Sequence, residues 1–160
     1  MAFSWEPFGR TDIDEPAPEA ASSETPPPEP APPPPPSRLA REPRRRLAVL
    51  TCMDCRIDPL RALGLRLGDA VVLRNAGAQA SDDVLRSLRM AHQALGVEAV
   101  AVVGHTDCAA HGGDDAASAS AANQAAARIR SVLPLRADAA VLDVATGELN
   151  RRADAPPPSG

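Results

Sequence analysis

The chain has 160 residues and a formal net charge of −4, and its 17 basic residues are all arginine. Since there is no basic excess, we do not expect a nucleic-acid-binding protein. No apolar run approaches the length of a membrane span and the amino terminus lacks a signal pattern, so we expect no membrane association. Three cysteines suit a reducing compartment rather than a disulfide framework, which predicts a cytoplasmic protein.

Residues 1–46 contain 13 of the 18 prolines of the chain. Such a segment buries too little apolar surface to offset its ordering entropy, which predicts a disordered tail with polyproline II stretches. The only aromatic residues, Phe3, Trp5 and Phe8, lie in this tail. Residues 2–8 could alternatively form a short anchor that docks on the domain or on a partner.

The hydrophobic pattern after the tail predicts one α/β domain over residues 47–151, followed by a disordered end over residues 152–160. In chain order, the predicted elements are a buried strand at 47–51, a short helical piece at 59–65, a strand at 70–73, a helix from the Ser81 cap to Gly96, a strand at 99–103, an alanine-rich helix at 114–133 and a strand at 139–144. Strands that alternate with helices predict a parallel-dominated central sheet with flanking helices. The core lacks aromatic residues, so its burial is modest and favours oligomerisation.

Two short strings of metal-ligand residues follow the first and third predicted strands. Residues 52–56 read CMDCR, and residues 105–108 read HTDC. Because open α/β sheets bind their ligands beyond the carboxyl ends of the strands, we expect the two strings to meet there. Thiolates with an imidazole are a ligand set that zinc selects, so the sequence predicts a zinc site at this edge.

The spacing leaves the ligand set open. All the cysteine and histidine residues of the two strings could form a closed structural site, whereas a redox Cys-x-x-Cys pair would leave the second string unexplained. Alternatively the ligands are Cys52, His105 and Cys108, and water or Asp54 takes the fourth position. Cys55 is then packed behind the strand. Two thiolates and a neutral imidazole cancel the charge of the ion, so activity is expected to rise towards alkaline pH.

Four motifs in register resemble the β-class carbonic anhydrases. They are the two ligand strings, residues 74–77 (RNAG) and residues 141–149 (VLDVATGEL), the last being similar to the final strand of short bacterial and archaeal members. The resemblance implies an enzyme that hydrates carbon dioxide reversibly to bicarbonate by attack of zinc-bound hydroxide. It also implies a homodimer with sites near the subunit interface.

The resemblance assigns a role to five residues. It implies that Cys52, His105 and Cys108 bind zinc, and that Asp54 and Arg56 form a catalytic dyad. Arg56 would hold the carboxylate off the metal by a bidentate contact that lysine cannot make, which leaves the fourth position to water. In a closed state, Asp54 would itself be the fourth ligand.

Other residues near the motifs carry weaker expectations. Ala109 stands where the family usually has glycine, and a positive φ there would strain the alanine by about 1 kcal/mol. His92 is expected to be structural, and His111 is a candidate proton shuttle. Asp107 is expected either to cap the following helix or to accept a hydrogen bond from the histidine ligand.

Two further functions stay open at this point. Hydrolysis of carbonyl sulfide or carbon disulfide, linear relatives of carbon dioxide that some family members use, would need the same site. A non-catalytic module stabilised by zinc, with a proline-rich tail that recruits partners, would need metal binding alone.

Overall fold

The computed structural model describes residues 35–150, in which five strands form one sheet with helices on its faces. In chain order the elements are β1 (Leu47–Cys52), α1 (Pro59–Ala62), β2 (Ala70–Asn75), α2 (Asp82–Leu95), β3 (Ala99–His105), α3 (Asp115–Val132), β4 (Arg136–Leu142) and β5 (Leu149–Asn150). The predicted alternation of strands and helices is confirmed. The predicted aromatic anchor and the predicted carboxy-terminal end lie outside the described residues.

The sheet is parallel except at one edge. Its strand order is β2-β1-β3-β4-β5, and β1 pairs in parallel with both β2 and β3. β4 continues the parallel ladder from β3, whereas β5 pairs with β4 in the antiparallel sense. The parallel-dominated α/β architecture expected from the sequence is therefore present. Because β1 and β3 are neighbours, Cys52 and His105 lie close together at the carboxyl ends of these two strands.

Two aliphatic clusters fill the two faces of the sheet. On one face, Ala48 and Leu50 of β1 pack with buried residues of α2 and α3. On the other face, Val49 packs with Ile57 and Val103, and the segment around α1 partly covers them. The alternation along β1 follows from the two-residue period of a strand, and the burial of β1 on both faces explains its continuous apolar run.

Local signals place the two long helices on the sheet. The Ser81 hydroxyl accepts a hydrogen bond from the Val84 N–H, and Gly96 ends α2 in the left-handed conformation, as predicted. α3 lies close to β3 because Gly104 has no side chain. A Cβ there would lie 3.2 Å from the Ser118 carbonyl oxygen and 3.3 Å from the Ala122 Cβ.

Residues shortly before the predicted domain boundary at residue 46 contact the domain. The Arg44 N–H donates to the Gly68 carbonyl, and Arg44 Nε contacts Asp69 Oδ1 at 2.9 Å. Leu39 lies against Gly68, and Pro43 is buried. The reason is the buried Asp69 carboxylate, which needs donors and finds them in this segment. Residues 1–34 lie outside the described residues.

Within residues 35–150, no helix combines the length and the hydrophobicity that crossing a membrane requires.

Candidate metal centre

Three potential metal ligands meet where β1 and β3 end. Cys52 is the last residue of β1, His105 is the last residue of β3, and Cys108 follows in the next turn. Their ligand atoms all lie within 4.8 Å of one another, and the two sulfur atoms are 4.0 Å apart. All three side chains are buried. We call these residues the ligand cluster.

The ligand cluster has the chemistry and spacing of a metal site. His105 Nδ1 lies 2.9 Å from the Thr106 carbonyl oxygen, so this nitrogen carries the proton and Nε2 presents a lone pair to the cluster. His105 Nε2 is buried and, among the described residues, has no hydrogen-bond partner. Buried polar atoms are rarely left so, and a bound metal would supply the partner. Two bonds of about 2.3 Å at a tetrahedral centre separate their sulfurs by about 3.8 Å, close to the spacing found.

Burial changes the acidity of one thiol of the ligand cluster, and the neighbouring loop donates a hydrogen bond to the other sulfur. Burial raises the pKa of the Cys108 thiol above its ordinary value, and the nearby Cys52 sulfur raises it further. The Gly77 N–H donates to Cys52 Sγ at 3.3 Å. A bound cation would favour both thiolates and reverse the effect of burial. The cluster is therefore suited to a soft divalent ion.

Ser118 of α3 fixes the backbone of His105. Its hydroxyl donates to the His105 carbonyl at 2.8 Å and accepts from the His105 N–H at 3.3 Å. Ser118 is buried, and the close approach at Gly104 brings it within reach. Ser118 could not be predicted as part of the site, since a serine in an alanine-rich helix carries no signal of its own.

The predicted pair of Asp54 and Arg56 is formed next to the ligand cluster. Arg56 Nε lies 3.0 Å from Asp54 Oδ1, and Arg56 Nη2 lies 2.7 Å from Asp54 Oδ2. The Arg56 N–H also donates to Asp54 Oδ1, at 2.9 Å. These bonds, the guanidinium first and the backbone N–H second, hold the pKa of the Asp54 carboxyl well below its usual range. The hydrogen bond to Asp54 first, and one to Asp107 second, raise the pKa of Arg56, so the pair is ionised at every working pH.

The loop that carries Asp54 is fixed by Arg74, the first residue of the RNAG motif. Arg74 Nε donates to the Cys52 carbonyl at 3.0 Å, and Arg74 Nη2 donates to the Asp54 carbonyl at 2.7 Å. The next residue, Asn75, exchanges two hydrogen bonds with the backbone of Gln79 and so shapes the loop whose Gly77 contacts Cys52. The motif thus supports the ligand cluster without belonging to it.

The predicted position of Cys55 is wrong. Its side chain is exposed rather than packed behind the strand, and it lies outside the ligand cluster. The chain turns after Cys52, with the Ile57 N–H donating to the Asp54 carbonyl, and this turn directs Cys55 to solvent. The closed site of four Cys and His ligands is therefore not formed. A redox pairing with Cys52 is also disfavoured, because the sulfur next to Cys52 is that of Cys108.

The expectations for the turn after His105 also need correction. Asp107 neither caps α3, a role that Asp114 fills, nor accepts from His105, whose Nδ1 bonds the Thr106 carbonyl. Its carboxylate contacts Arg56 instead, at 2.9 Å. Ala109 does not have a positive φ and begins a short 3₁₀ turn, so the strain considered there is absent.

The two remaining histidines lie in different surroundings. His92 Nδ1 is 2.7 Å from the Val97 carbonyl, which fits the structural role expected of it. His111 lies beside Gly77, with Nε2 3.4 Å from its carbonyl oxygen. It lines a surface cleft of about 380 Å³ between α3 and the loop before α2. Whether it moves protons stays a prediction.

The sequence is similar to a family model and to several curated proteins. The family model described as carbonic anhydrase matches residues 47–154. Beta-carbonic anhydrase 1 of Mycobacterium tuberculosis is 44% identical over 66 residues, which are 41% of this chain and 40% of that protein. A carbon disulfide hydrolase of Saccharolobus solfataricus is 45% identical over 64 residues, 40% of this chain and 31% of that protein. The matched stretch thus spans less than half the length of these curated relatives.

Solved structures agree with the sequence comparisons. The carbonic anhydrase of Streptococcus mutans superimposes with a TM-score of 0.63 at 32% identity, over 69% of this chain and 84% of that one. The carbonic anhydrase of Glaciozyma antarctica gives a TM-score of 0.62 at 29% identity, over 72% and 86% of the two chains. From the matched motifs, the shared fold and the extent of the family match, the chain belongs to the carbonic anhydrase family, in its β class.

Proposed function

We propose that this protein is a zinc enzyme that hydrates carbon dioxide reversibly to bicarbonate. Cys52, His105 and Cys108 would hold the ion, which when bound supplies a Lewis acid that makes water nucleophilic near neutral pH. Support for this ligand set comes from the spacing of the two sulfurs and from the unpartnered His105 Nε2.

The observation that carries the proposal is the pairing of Asp54 with Arg56. A carboxylate next to a three-ligand site would take the fourth position itself unless another cation held it. Arg56 holds both Asp54 oxygens through a planar fork, and the Asp54 side chain remains 13% exposed to solvent. So held, the carboxylate can accept a hydrogen bond from a reacting water and orient it. A purely structural site has no use for this arrangement.

Each residue has a separable task in this proposal. The ligand cluster binds the ion, Asp54 orients the nucleophile, and Arg56 keeps Asp54 from the ion. The pKa of Asp54 is so low that this residue does not set the pH dependence of the rate. Because two thiolates donate more charge to zinc than imidazoles do, we expect a rate that rises from about pH 6.5 towards about pH 9.

The test is stopped-flow hydration of carbon dioxide by the zinc-loaded full chain, across the same pH range. We expect a rate that depends on zinc and rises with pH. The absence of any rate with zinc bound would contradict the proposal. Carbon disulfide and carbonyl sulfide belong in the same experiment, because relatives named carbon disulfide hydrolase share this core. No observation within residues 35–150 favours the sulfur substrates.

We also propose that the enzyme is a homodimer in the cytoplasm. The core is aliphatic throughout, β2 lies at a sheet edge, and Val72 on that strand is 38% exposed, all of which leaves apolar surface for a second copy. Two β-carbonic anhydrases of Sordaria macrospora are described as tetrameric, so larger assemblies are an alternative outcome. The cytoplasmic location is supported by the need to keep Cys52 and Cys108 reduced. Light scattering after gel filtration measures the assembly.

A further inference from the structure

Asp107 lies between two residues of the ligand cluster and has an unusual backbone conformation. Its φ is +52°, and within residues 35–150 the only other non-glycine residues with a positive φ are Arg46 and Ala78. Aspartate tolerates this region better than most residues because its short polar side chain can bond locally. The Asp107 N–H donates to Asp115 Oδ1 at 2.8 Å, which ties the turn to the start of α3. The direction of Asp107 is therefore fixed by its backbone.

This turn presents two oxygens of Asp107 to Arg56. Arg56 Nη1 donates to Asp107 Oδ2 at 2.9 Å, and Arg56 Nη2 donates to the Asp107 carbonyl at 3.0 Å. The Nε edge of the same guanidinium pairs with Asp54. Four of the five guanidinium N–H groups thus have an acceptor, and half of these bonds go to Asp107. We call Asp54, Arg56 and Asp107 the Arg56 network.

Arg56 needs this second anchor because of its own exposure. Its side chain is 45% exposed, and a free arginine has large rotamer entropy. The guanidinium is a rigid plane, so Asp54 alone would fix it relative to the carboxylate but would leave the two side chains free to move together. A guanidinium that moves cannot hold the Asp54 carboxylate in a fixed place.

We infer that Asp107 is a positioning residue, which fixes Arg56 so that Asp54 stays paired with it and away from the ligand cluster. The inference rests on the proposed function, in which Arg56 restrains Asp54. Residues 105–108 thus supply two metal ligands and the anchor of the dyad in a single turn. Since Asp107 is 71% exposed, its ion pair is weakened by solvent, and the effect on the rate is about three- to fivefold.

The test uses two substitutions that keep the left-handed turn. Asp107→Asn retains the size of the side chain and removes its charge, whereas Asp107→Gly removes the side chain and keeps the positive φ. The matched control is Asp83→Asn, since Asp83 is 75% exposed and pairs with Arg86 on the surface of α2. Each variant is made alone and in an Arg56→Ala background.

Three readouts are measured on each variant. The first is kcat/KM for carbon dioxide hydration, and the second is metal affinity determined by chelator competition. The third is the visible spectrum of the cobalt-substituted protein, which changes when a carboxylate replaces a solvent oxygen on the metal. Asp107→Gly is expected to lower kcat/KM about three- to fivefold, Asp107→Asn by less, and Asp83→Asn by nothing.

The cobalt spectrum and the double variants separate positioning from a structural role. The spectrum of Asp107→Gly is expected to move towards that of Arg56→Ala, and an added Asp54→Asn is expected to abolish the movement. With Arg56 already replaced, Asp107→Gly should change nothing further. An unchanged rate and spectrum would overturn the inference, and so would a loss of metal affinity of equal size in both backgrounds. If the wild type hydrates no carbon dioxide but the spectrum still moves, the proposed function fails and the positioning role stands.

Discussion

The ligand cluster and the Arg56 network lie side by side at the carboxyl ends of β1 and β3. They differ in how far their polar atoms find hydrogen-bond partners within the chain. In the cluster the three side chains are buried, and His105 Nε2 is without a partner among the described residues. In the network Arg56 is 45% exposed, and four of its five guanidinium N–H groups have acceptors within the chain. The cluster is therefore incomplete without an ion, whereas the network is complete without one.

This difference predicts that substitutions in the two regions fail in different ways. Loss of a cluster residue should remove the metal and, with it, part of the stability, because metal binding is coupled to folding. Loss of a network residue should leave metal and fold in place and change the rate alone.

Cys108→Ser is expected to abolish both metal binding and activity. Serine is a poor ligand for a soft ion, and the site would keep two of its three protein ligands. Zinc content measured by mass spectrometry after dialysis should fall to background, and the thermal midpoint of the zinc-treated protein should fall with it. Because Cys55 is exposed and lies outside the cluster, Cys55→Ser is the matched control and should retain full zinc content. Zinc loss in the control would show that Cys55 is a ligand, as the hypothesis of a closed four-ligand site requires.

Asp54→Asn is expected to lower kcat/KM by about 100-fold or more, because the charged acceptor that orients the reacting water is lost. Asparagine can still contact Arg56, but it is neutral and a weaker acceptor for a reacting water. Zinc content and the midpoint of unfolding should stay at the wild-type values. Asp138→Asn, at an exposed position of β4, is the control for the loss of one negative charge. A rate equal to the wild type would remove Asp54 from the mechanism and break the contrast between the two regions.

The contrast also shows which features a sequence can predict. The order of strands and helices follows from local periodicity, and the positions of Cys52 and His105 follow from the ends of two neighbouring parallel strands. These features need information from within a few residues, together with one topological rule. For that reason the sequence predicts the fold and the proximity of the two strings, whereas the choice of Cys52, His105 and Cys108 among their residues came from the family resemblance. The strand limits differ from those predicted by up to about three residues.

Side-chain directions in the turns could not be predicted in this way. The turn that directs Cys55 to solvent is held by Arg74, about 20 residues further along, which donates to the Asp54 carbonyl. Asp107 faces Arg56, 51 residues away, rather than its neighbour His105. Ser118 reaches His105 because Gly104 admits α3 to the sheet. Each outcome depends on a contact between distant segments, and no local pattern records it.

Gly77→Ala, in the loop beside Cys52, is expected to lower the free energy of unfolding by about 2–3 kcal/mol. Its φ is +72°, and an added Cβ would lie 2.7 Å from His111 Nε2. The effect is measured by urea unfolding of the metal-free protein. Gly112→Ala is the matched control, since its φ is +64° and a Cβ there meets nothing within 4 Å, so it should lose about 1 kcal/mol.

The difference between these two variants measures packing against His111. In a His111→Ala background, the loss from Gly77→Ala should fall towards that of Gly112→Ala, since the strain of a positive φ and a 3.3 Å approach to the Ala110 Cβ remain. Equal losses for the two glycines in the wild-type background would show that the His111 ring yields freely. The loop at Gly77 would then be loosely packed against His111.

Asp69→Asn is expected to have the smallest effect, and one confined to stability. Like Asp54, Asp69 is bound by an arginine and by a backbone N–H, from Arg44 and Arg66, but it lies at the other end of β2 from the metal centre. These bonds lower the pKa of Asp69 in the folded state, the Arg66 N–H most of all. The wild type should therefore unfold at higher urea concentration than the variant at pH 7, with no change in kcat/KM.

The sign of the pH dependence follows from the lowered pKa. A carboxyl whose folded pKa is depressed adds stability above its unfolded pKa of about 4, and this stability is lost as the pH falls through the folded value. The gap between wild type and Asp69→Asn should thus be full at neutral pH and close progressively in acid. A gap that stayed constant down to the acid transition would mean that the introduced amide merely packs badly. Asp54 and Asp69 would then have similar hydrogen bonds, but those of Asp69 would not add charge-dependent stability. The packing of the residues before β1 would in that case depend on the shape of the contact and not on the charge of Asp69.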